Sequence, residues 1–344
     1  MLSQIATQAL TLLSPEAAHQ ATINLLKTQL LPTVRPDLDP LLRTEVAGLD
    51  LPNPIGMAAG FDKNAEVPGP LLKLGFGFVE VGAVTPRPQP GNDRPRVFRL
   101  RQDSAIINRY GFNNDGLEAI AARMRTQAER PGLVGINLGA NKDSEDRAQD
   151  YVTSLKRLEP FAAFLTVNVS SPNTEGLRSL QGKDALKELL QRVLSARTMG
   201  RPVFVKVAPD LSDEACADIA SAALDAGVDG LIVSNTTLSR EGLKSPHANE
   251  KGGLSGQPLF EASTFILRAF ARETKGQLPL IGVGGVSSAQ DALTKIKSGA
   301  SAVQLYTALV YQGPGLIKRM LKELPELLRA EGFASMKDAV GADL

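Results

Sequence analysis

The stretch VFVKVAPDLSDEACADIASAALDAGVDGLIVSN, residues 203–235, decides the fold. Val203–Val207 is a short β-branched and apolar run, a turn follows, Ser212–Ala226 reads as a helix, and Leu231–Ser234 is apolar again. The same order recurs from about residue 53 onward. Eight apolar runs can be counted: Ile55–Ala59, Phe78–Val84, Val134–Leu138, Phe164–Val169, Val203–Val207, Leu231–Ser234, Leu280–Val283 and Ala302–Leu305. Helical patterns at Asp115–Glu129, Ser179–Arg197, Ser212–Ala226 and Pro314–Leu328 lie between them. Strict alternation of strand and helix implies a parallel sheet. Eight units in roughly 290 residues fit a closed (β/α)8 TIM barrel with modest insertions better than an open doubly wound sheet.

Residues 1–40 stand apart from this rhythm. Leu2, Ile5, Ala6, Ala9, Leu12 and Leu13 follow a helical spacing, and Ser14-Pro15-Glu16 supplies an N-cap and a first-turn proline for a second helix to about Leu31. Pro32, Pro36 and Pro40 make a stiff connector. The expected organisation is a helical hairpin over 1–40 and a barrel over 41–344. The hairpin either caps the barrel base or dips an apolar face into a membrane interface. The second reading is open because Glu16 and Lys27 are the only formal charges in the first 34 residues.

With 344 residues, 43% of them hydrophobic, the chain can bury a large core. Lys and Arg total 38 against 37 for Asp and Glu, so no overall field draws it to nucleic acid. A single cysteine, Cys216, excludes an internal disulfide and multi-cysteine metal sites, and His19 and His247 lack ligand spacing. With no run of 18 apolar residues and no basic, cleavable leader, the chain is expected neither to span a membrane nor to be secreted.

Asn108, Asn137, Asn168, Asn173 and Asn235, with Lys63 and Lys206, fall almost all just after an apolar run. Asn is a poor strand former, so the pattern implies side chains converging on something that needs hydrogen-bond donors and acceptors. At the carboxyl end of a parallel barrel that something is a ligand. In GVGGVSS, 282–288, Gly284 and Gly285 permit close backbone approach, and a helix is expected to begin at Val286–Ser288, which together favour a phosphate. AAGFDKNAE offers Ala58, Ala59 and Gly60 to a flat ring, with Lys63 as a cation. INRYGFNNDG carries Asn108 and Asn113 in an insertion after the second strand, and TVNVSSPNTEGLR carries Asn168, Ser171 and Asn173. Lys206, inside an apolar strand, must face a ligand or a carboxylate. It could form a Schiff base, as in some aldolases, or stay protonated beside a cofactor that gains negative charge.

These segments together carry a resemblance. NPIGMAAGFDKN, VEVGAVTPRPQPGNDRPRVFRL, INRYGFNN, NVSSPNT, VFVKVAPD, SNTT, GGLSGQPL, IGVGGV and QLYTALVY match, in order and spacing, the motifs of the class 2, quinone-dependent dihydroorotate dehydrogenases. The chain resembles that family over essentially its whole length. The resemblance implies an FMN enzyme that oxidises dihydroorotate to orotate in pyrimidine synthesis and passes the electrons to a membrane quinone. Carried over residue by residue, it implies FMN against Ala58, Ala59, Gly60, Phe61, Asp62 and Ala83. Asn137, Asn168 and Lys206 would surround its ring, and Ser234, Gly256, Gly284, Gly285, Tyr306 and Thr307 would complete the seat. Substrate would meet Lys63, Asn108, Arg109, Tyr110, Gly111, Phe112, Asn168, Asn173, Asn235 and Thr236.

Ser171 would take the C5 proton while hydride leaves C6 for flavin N5, with Thr174 and water carrying the proton onward. Lys206 would act electrostatically, not as a Schiff base. Ser171 stands where the cytosolic class resembles a cysteine pattern, and with the hairpin it selects the quinone-dependent class. His19, Arg99 and Tyr306 match positions lining that family's quinone tunnel. Ala83 departs from the family, in which many members carry Ser or Thr, so only backbone contact with the flavin would remain there. The expected setting is peripheral attachment to the cytoplasmic side of a bacterial inner membrane, as a monomer.

Overall fold

The structure is a computed structural model that describes residues 10–28, 30, 38–128 and 132–344. In chain order the strands are β1 (Thr44–Val46), β2 (Leu49–Leu51), β3 (Ile55–Met57), β4 (Phe78–Val84), β5 (Val97–Leu100), β6 (Ala105–Asn108), β7 (Val134–Leu138), β8 (Leu165–Asn168), β9 (Val203–Val207), β10 (Gly230–Val233), β11 (Gly253–Gly256), β12 (Leu280–Val283) and β13 (Ala300–Leu305). Eight of them close into one parallel barrel in the order β3, β4, β7, β8, β9, β10, β12, β13, and Leu305 of β13 pairs with Met57 of β3 to seal the ring. Closure, which periodicity could only suggest, is therefore observed.

Period-two alternation sorts each barrel strand into two faces. Outward residues such as Val79, Val81, Ile136 and Val205 join one large core with the surrounding helices. Inward, Phe78, Phe164 and Phe204 form a phenyl layer with ring centroids 6.1 and 5.5 Å apart, edge to face. Glycines make room for it: a Cβ on Gly135 would lie 2.1 Å from Phe164 Cζ, and one on Gly56 2.3 Å from Phe78 Cζ. The antiparallel hairpin of β1 and β2 packs Val46 and Leu51 against this layer and plugs the amino-terminal end. One step further along the same inward faces stand Glu80, Asn137, Thr166, Lys206 and Gln304, so the barrel changes from phenyl to polar toward its carboxyl mouth.

A three-stranded antiparallel sheet, β11, β6, β5, covers that mouth. It has its own small core of Phe98, Leu100, Ala105, Ile107 and Leu254. The insertion after β4 was legible from the sequence, but its pairing with residues 253–256 was not.

The helices used below are α1 (Pro15–Lys27), α2 (Pro68–Lys73), α3 (Leu117–Ala128), α4 (Arg147–Leu158), α5 (Lys183–Ser195), α6 (Asp213–Ala226), α7 (Phe260–Thr274), α8 (Ala289–Lys297), α9 (Thr307–Gln312) and α10 (Gly315–Ala330). Most of the expected first arm of the hairpin, including Leu2, Ile5, Ala6 and Ala9, lies outside the described residues, as do Leu31, Pro32 and Pro36. The second arm, α1, ends at Lys27 rather than near Leu31. Ser14 holds its N-cap position without a side-chain bond. Ile23 and Leu26 join the main core, so α1 is packed on the barrel and not held apart from it. Leu25 on its other side is exposed, as are Leu12 and Leu13 before the helix and Leu30 after it. Glu16 pairs with Arg96 at 3.0 Å and Arg94 at 3.1 Å, and Lys27 pairs with Glu66.

Candidate active site

One cavity lies between the barrel mouth and the lid sheet. Of the residues singled out in the sequence, Ala58, Ala59, Gly60, Lys63, Ala83, Asn108, Tyr110, Gly111, Phe112, Asn137, Asn168, Ser171, Asn173, Lys206, Ser234, Asn235, Thr236, Gly256, Gly284, Gly285, Tyr306 and Thr307 line it. They come from every side of the ring and from the lid, which only the closed topology brings together.

The floor is a string of amides. Asn137 Nδ2 donates to Glu80 Oε1 at 2.7 Å, and Asn168 Nδ2 donates to Asn137 Oδ1 at 2.9 Å. Asn168 Oδ1 then accepts from Ser170 Oγ at 3.1 Å and Asn235 Nδ2 at 3.3 Å. Lys206 projects from β9 beside this string with no hydrogen-bond partner among the described residues. Burial pushes its pKa down and the Glu80 charge opposes that shift. An ammonium so placed is available to a ligand.

The lid supplies the opposite wall. Asn173 Nδ2 reaches Asn108 Oδ1 at 3.4 Å, linking the loop after β8 to β6. Lys63 Nζ stands 4.1 Å over the Tyr110 ring. Burial brings the Lys63 pKa down to about 8, with Glu16 and Asp62 opposing the fall and Arg96 adding to it. Ser171 is buried, and its Oγ accepts the Asn173 N–H at 3.3 Å; no imidazole or carboxylate bonds to it among the described residues.

The third region is the glycine turn after β12. A Cβ on Gly285 would lie 2.5 Å from the Phe260 backbone, and Gly285 has φ +75°. The N–H groups of Gly285 and Val286 bond no acceptor among the described residues, which suits an anion. One expectation is corrected here. Val286–Ser288 is not helical; α8 begins at Ala289, and its first turn is occupied by Ser288 Oγ accepting the Asp291 N–H and by Asp291 accepting from Ser287. The seat rests on loop amides, not on the helix end. Behind it, Lys295 is fully buried and donates to Ser263 Oγ at 2.6 Å, which donates to Gly284 O at 3.1 Å. Burial lowers the Lys295 pKa to about 7.

Some expected residues stand off the cavity wall. Asp62 turns its carboxylate to the N–H groups of Glu66 and Val67, both at 2.8 Å, and so shapes the loop before α2. Phe61 packs edge-on between His19, at 5.2 Å, and Tyr306, at 5.4 Å. Arg109 points to Glu250 at 2.8 Å and stacks 4.6 Å over Phe98, tying the lid together. His19 sits against Tyr306, with Tyr306 Oη and His19 Nδ1 3.3 Å apart, and burial lowers its pKa to about 3, keeping the ring neutral. Arg99 donates to the carbonyls of Thr11 and Leu13 at 3.2 and 2.7 Å, beside α1.

Glu80 and Gln304 were missed by sequence reasoning. The rule that exposed Lys206, a charge inside an apolar strand, applies equally to Glu80 in VEVGAV and would have found it.

A family model described as Dihydroorotate dehydrogenase matches residues 41–328. A Brucella ovis protein described as dihydroorotate dehydrogenase (quinone) is 54% identical over 346 residues, covering 98% of this chain and 95% of its own. A Parvibaculum lavamentivorans protein of the same description is 54% identical over 344 residues, covering 100% and 99%. The crystal structure of DHODH in complex with ferulenol from Eimeria tenella matches with a TM-score of 0.93 at 42% identity, covering 96% of each chain.

Proposed function

The chain belongs to the dihydroorotate dehydrogenase family, and on that premise we propose how its cavity works. The enzyme oxidises dihydroorotate to orotate in pyrimidine biosynthesis, with a quinone as electron acceptor. The observation that carries the reading is the amide string from Asn137 to Asn235 with Lys206 beside it, set between a glycine turn and a lid bearing Lys63, where neither the Lys206 ammonium nor the Gly285 and Val286 N–H groups have a hydrogen-bond partner among the described residues.

The family is flavin-dependent, and we infer FMN as the flavin. The residues fit it. Small Ala58, Ala59, Gly60 and Ala83 leave a wall on which a flat ring can lie, and Gly285 and Val286 offer amides to a phosphate. Held there, FMN would supply the two-electron redox chemistry that links the substrate to the quinone. Lys206 supplies fixed positive charge to the ring's polar edge. Asn137 and Asn168 orient the ring, and Ser234, Gly256, Tyr306 and Thr307 enclose it.

Orotate is a planar acid with N–H and C=O edges. Lys63 pairs with its carboxylate, while Asn108, Asn173, Asn235 and Thr236 read the edges. Ser171 removes the C5 proton. A serine bonded only to a backbone amide is a weak base, so proton loss must accompany hydride departure and not precede it. Tyr110, Gly111 and Phe112 close the lid side and exclude water, and Arg109 holds the lid's shape from outside the cavity.

We further place the quinone path beside α1, where His19 packs on Tyr306 and Arg99 holds the Thr11 and Leu13 carbonyls, and let Leu12, Leu13, Leu25 and Leu30 enter a membrane interface. No helix among the described residues is long and apolar enough to cross a membrane. The attachment is peripheral, on the cytoplasmic side of a bacterial inner membrane, and the protein acts as a monomer.

The experiment is stopped-flow reduction of the bound flavin by dihydroorotate without oxygen, using Ser171→Ala. The variant should keep its flavin and lose reduction rate by about 10²-fold or more. Reduction at the wild-type rate would remove Ser171 from the mechanism.

A further inference from the structure

Glu80 stands inside the barrel with no solvent exposure. Its Oε1 accepts from Asn137 Nδ2 and its Oε2 from Gln304 Nε2, each at 2.7 Å. A carboxylate can only accept, so both amides must present their NH2 groups to it and their oxygens elsewhere. For Asn137, elsewhere is Asn168 Nδ2 at 2.9 Å, which leaves the Asn168 oxygen to accept from Ser170 and Asn235. One acceptor in the barrel interior thus sets the sense of every amide along the pocket floor. For Gln304 the oxygen is buried and has no partner among the described residues, on a side chain that lines the cavity. The same carboxylate is the negative charge that favours the ammonium of Lys206.

We propose that Glu80 is a positioning residue for the redox site: it fixes the sense of the Asn137–Asn168–Asn235 string and serves as counter-ion to Lys206. The potential of the bound flavin and the affinity for orotate then both depend on it. The inference rests on the flavin reading above. A purely structural acid would be replaceable by its isosteric amide. A Gln at position 80 has the same volume but places an NH2 where an oxygen stood, so Asn137 or Gln304 must turn. It also removes the negative charge that offsets Lys206, which favours the electron-rich form of the flavin.

The test uses the holoenzyme and Glu80→Gln. A dye-coupled anaerobic titration without substrate reads the flavin midpoint potential, and perturbation of the flavin spectrum reads orotate binding. The potential should move positive, and the orotate dissociation constant should rise about tenfold, the effect of leaving a buried donor unmatched. A Glu80→Gln protein that holds its flavin at the wild-type potential and binds orotate as wild type overturns the proposal. If Glu80→Gln does not fold, the double variant Glu80→Gln/Lys206→Gln should recover a folded protein, because the unmatched charge is removed with its partner. A double variant as unfolded as the single one overturns the counter-ion role. A wild-type chain that carries no flavin ends the functional reading and this inference together, whereas a yellow wild type with an unmoved Glu80→Gln ends this inference alone.

Discussion

Burial holds the Lys63 ammonium at about 8, and the direction of that shift fixes how substrate binding responds to pH. Below pH 8 the group is charged and meets a carboxylate; above it the free site is neutral, and binding an anion must draw a proton back onto the amine. Orotate affinity should therefore be flat from pH 6.5 to about 8 and weaken by up to about tenfold per unit above it, with proton uptake on binding. Spectral titrations of the flavin with orotate across this range check it, and a level profile to pH 9.5 contradicts the role of Lys63. At this scale the sequence was legible at Asn137, Asn168 and Lys206, where a polar side chain interrupts an apolar strand, although Glu80 and Gln304 interrupt theirs in the same way and were passed over. Asp62, set against the flavin only by the resemblance, gives its carboxylate to the N–H groups of Glu66 and Val67 in its own loop. Which way Arg109 turns was likewise fixed by a distant partner, Glu250.

Among the elements, α1 has two sides of different character that the sequence could not separate. Its inner face is core, with Ile23 and Leu26 packed under the barrel helices, and its Glu16 holds Arg96 and bears on Lys63. Its outer side and the preceding turn expose Leu12, Leu13 and Leu25. Deleting the whole segment would mix these effects, so the sharper test changes the exposed residues alone. Leu12→Asp with Leu13→Asp should abolish binding to anionic lipid vesicles and cut reduction of a lipophilic quinone by about tenfold or more, since two exposed apolar side chains proposed to enter the lipid interface become two charges. Anaerobic bleaching by dihydroorotate should stay within about twofold, because neither residue lines the cavity. Equal loss of both half-reactions would contradict the membrane role. The barrel strands were legible almost to the residue, since each is a short apolar run ending in a turn. The lid sheet was not, because β6 and β11 pair across more than a hundred residues and neither stretch advertises its partner.

The whole molecule is a barrel plugged by a hairpin at one end and roofed by a sheet at the other, with one polar cavity between floor and roof. Its phenyl layer, its polar layer and its mouth follow from a single alternation carried around eight strands. Alternation was visible in the chain; closure, and hence the meeting of Lys63, Ser171, Lys206 and Gly285 in one cavity, was a property of three dimensions. Every role proposed for this cavity requires a flavin facing dihydroorotate. The visible spectrum of the purified protein, before and after dihydroorotate is added without oxygen, tests that requirement. The protein should be yellow, absorb near ~450 nm, bleach on addition and recover its colour with quinone. A colourless protein, or a colour untouched by dihydroorotate, would contradict it.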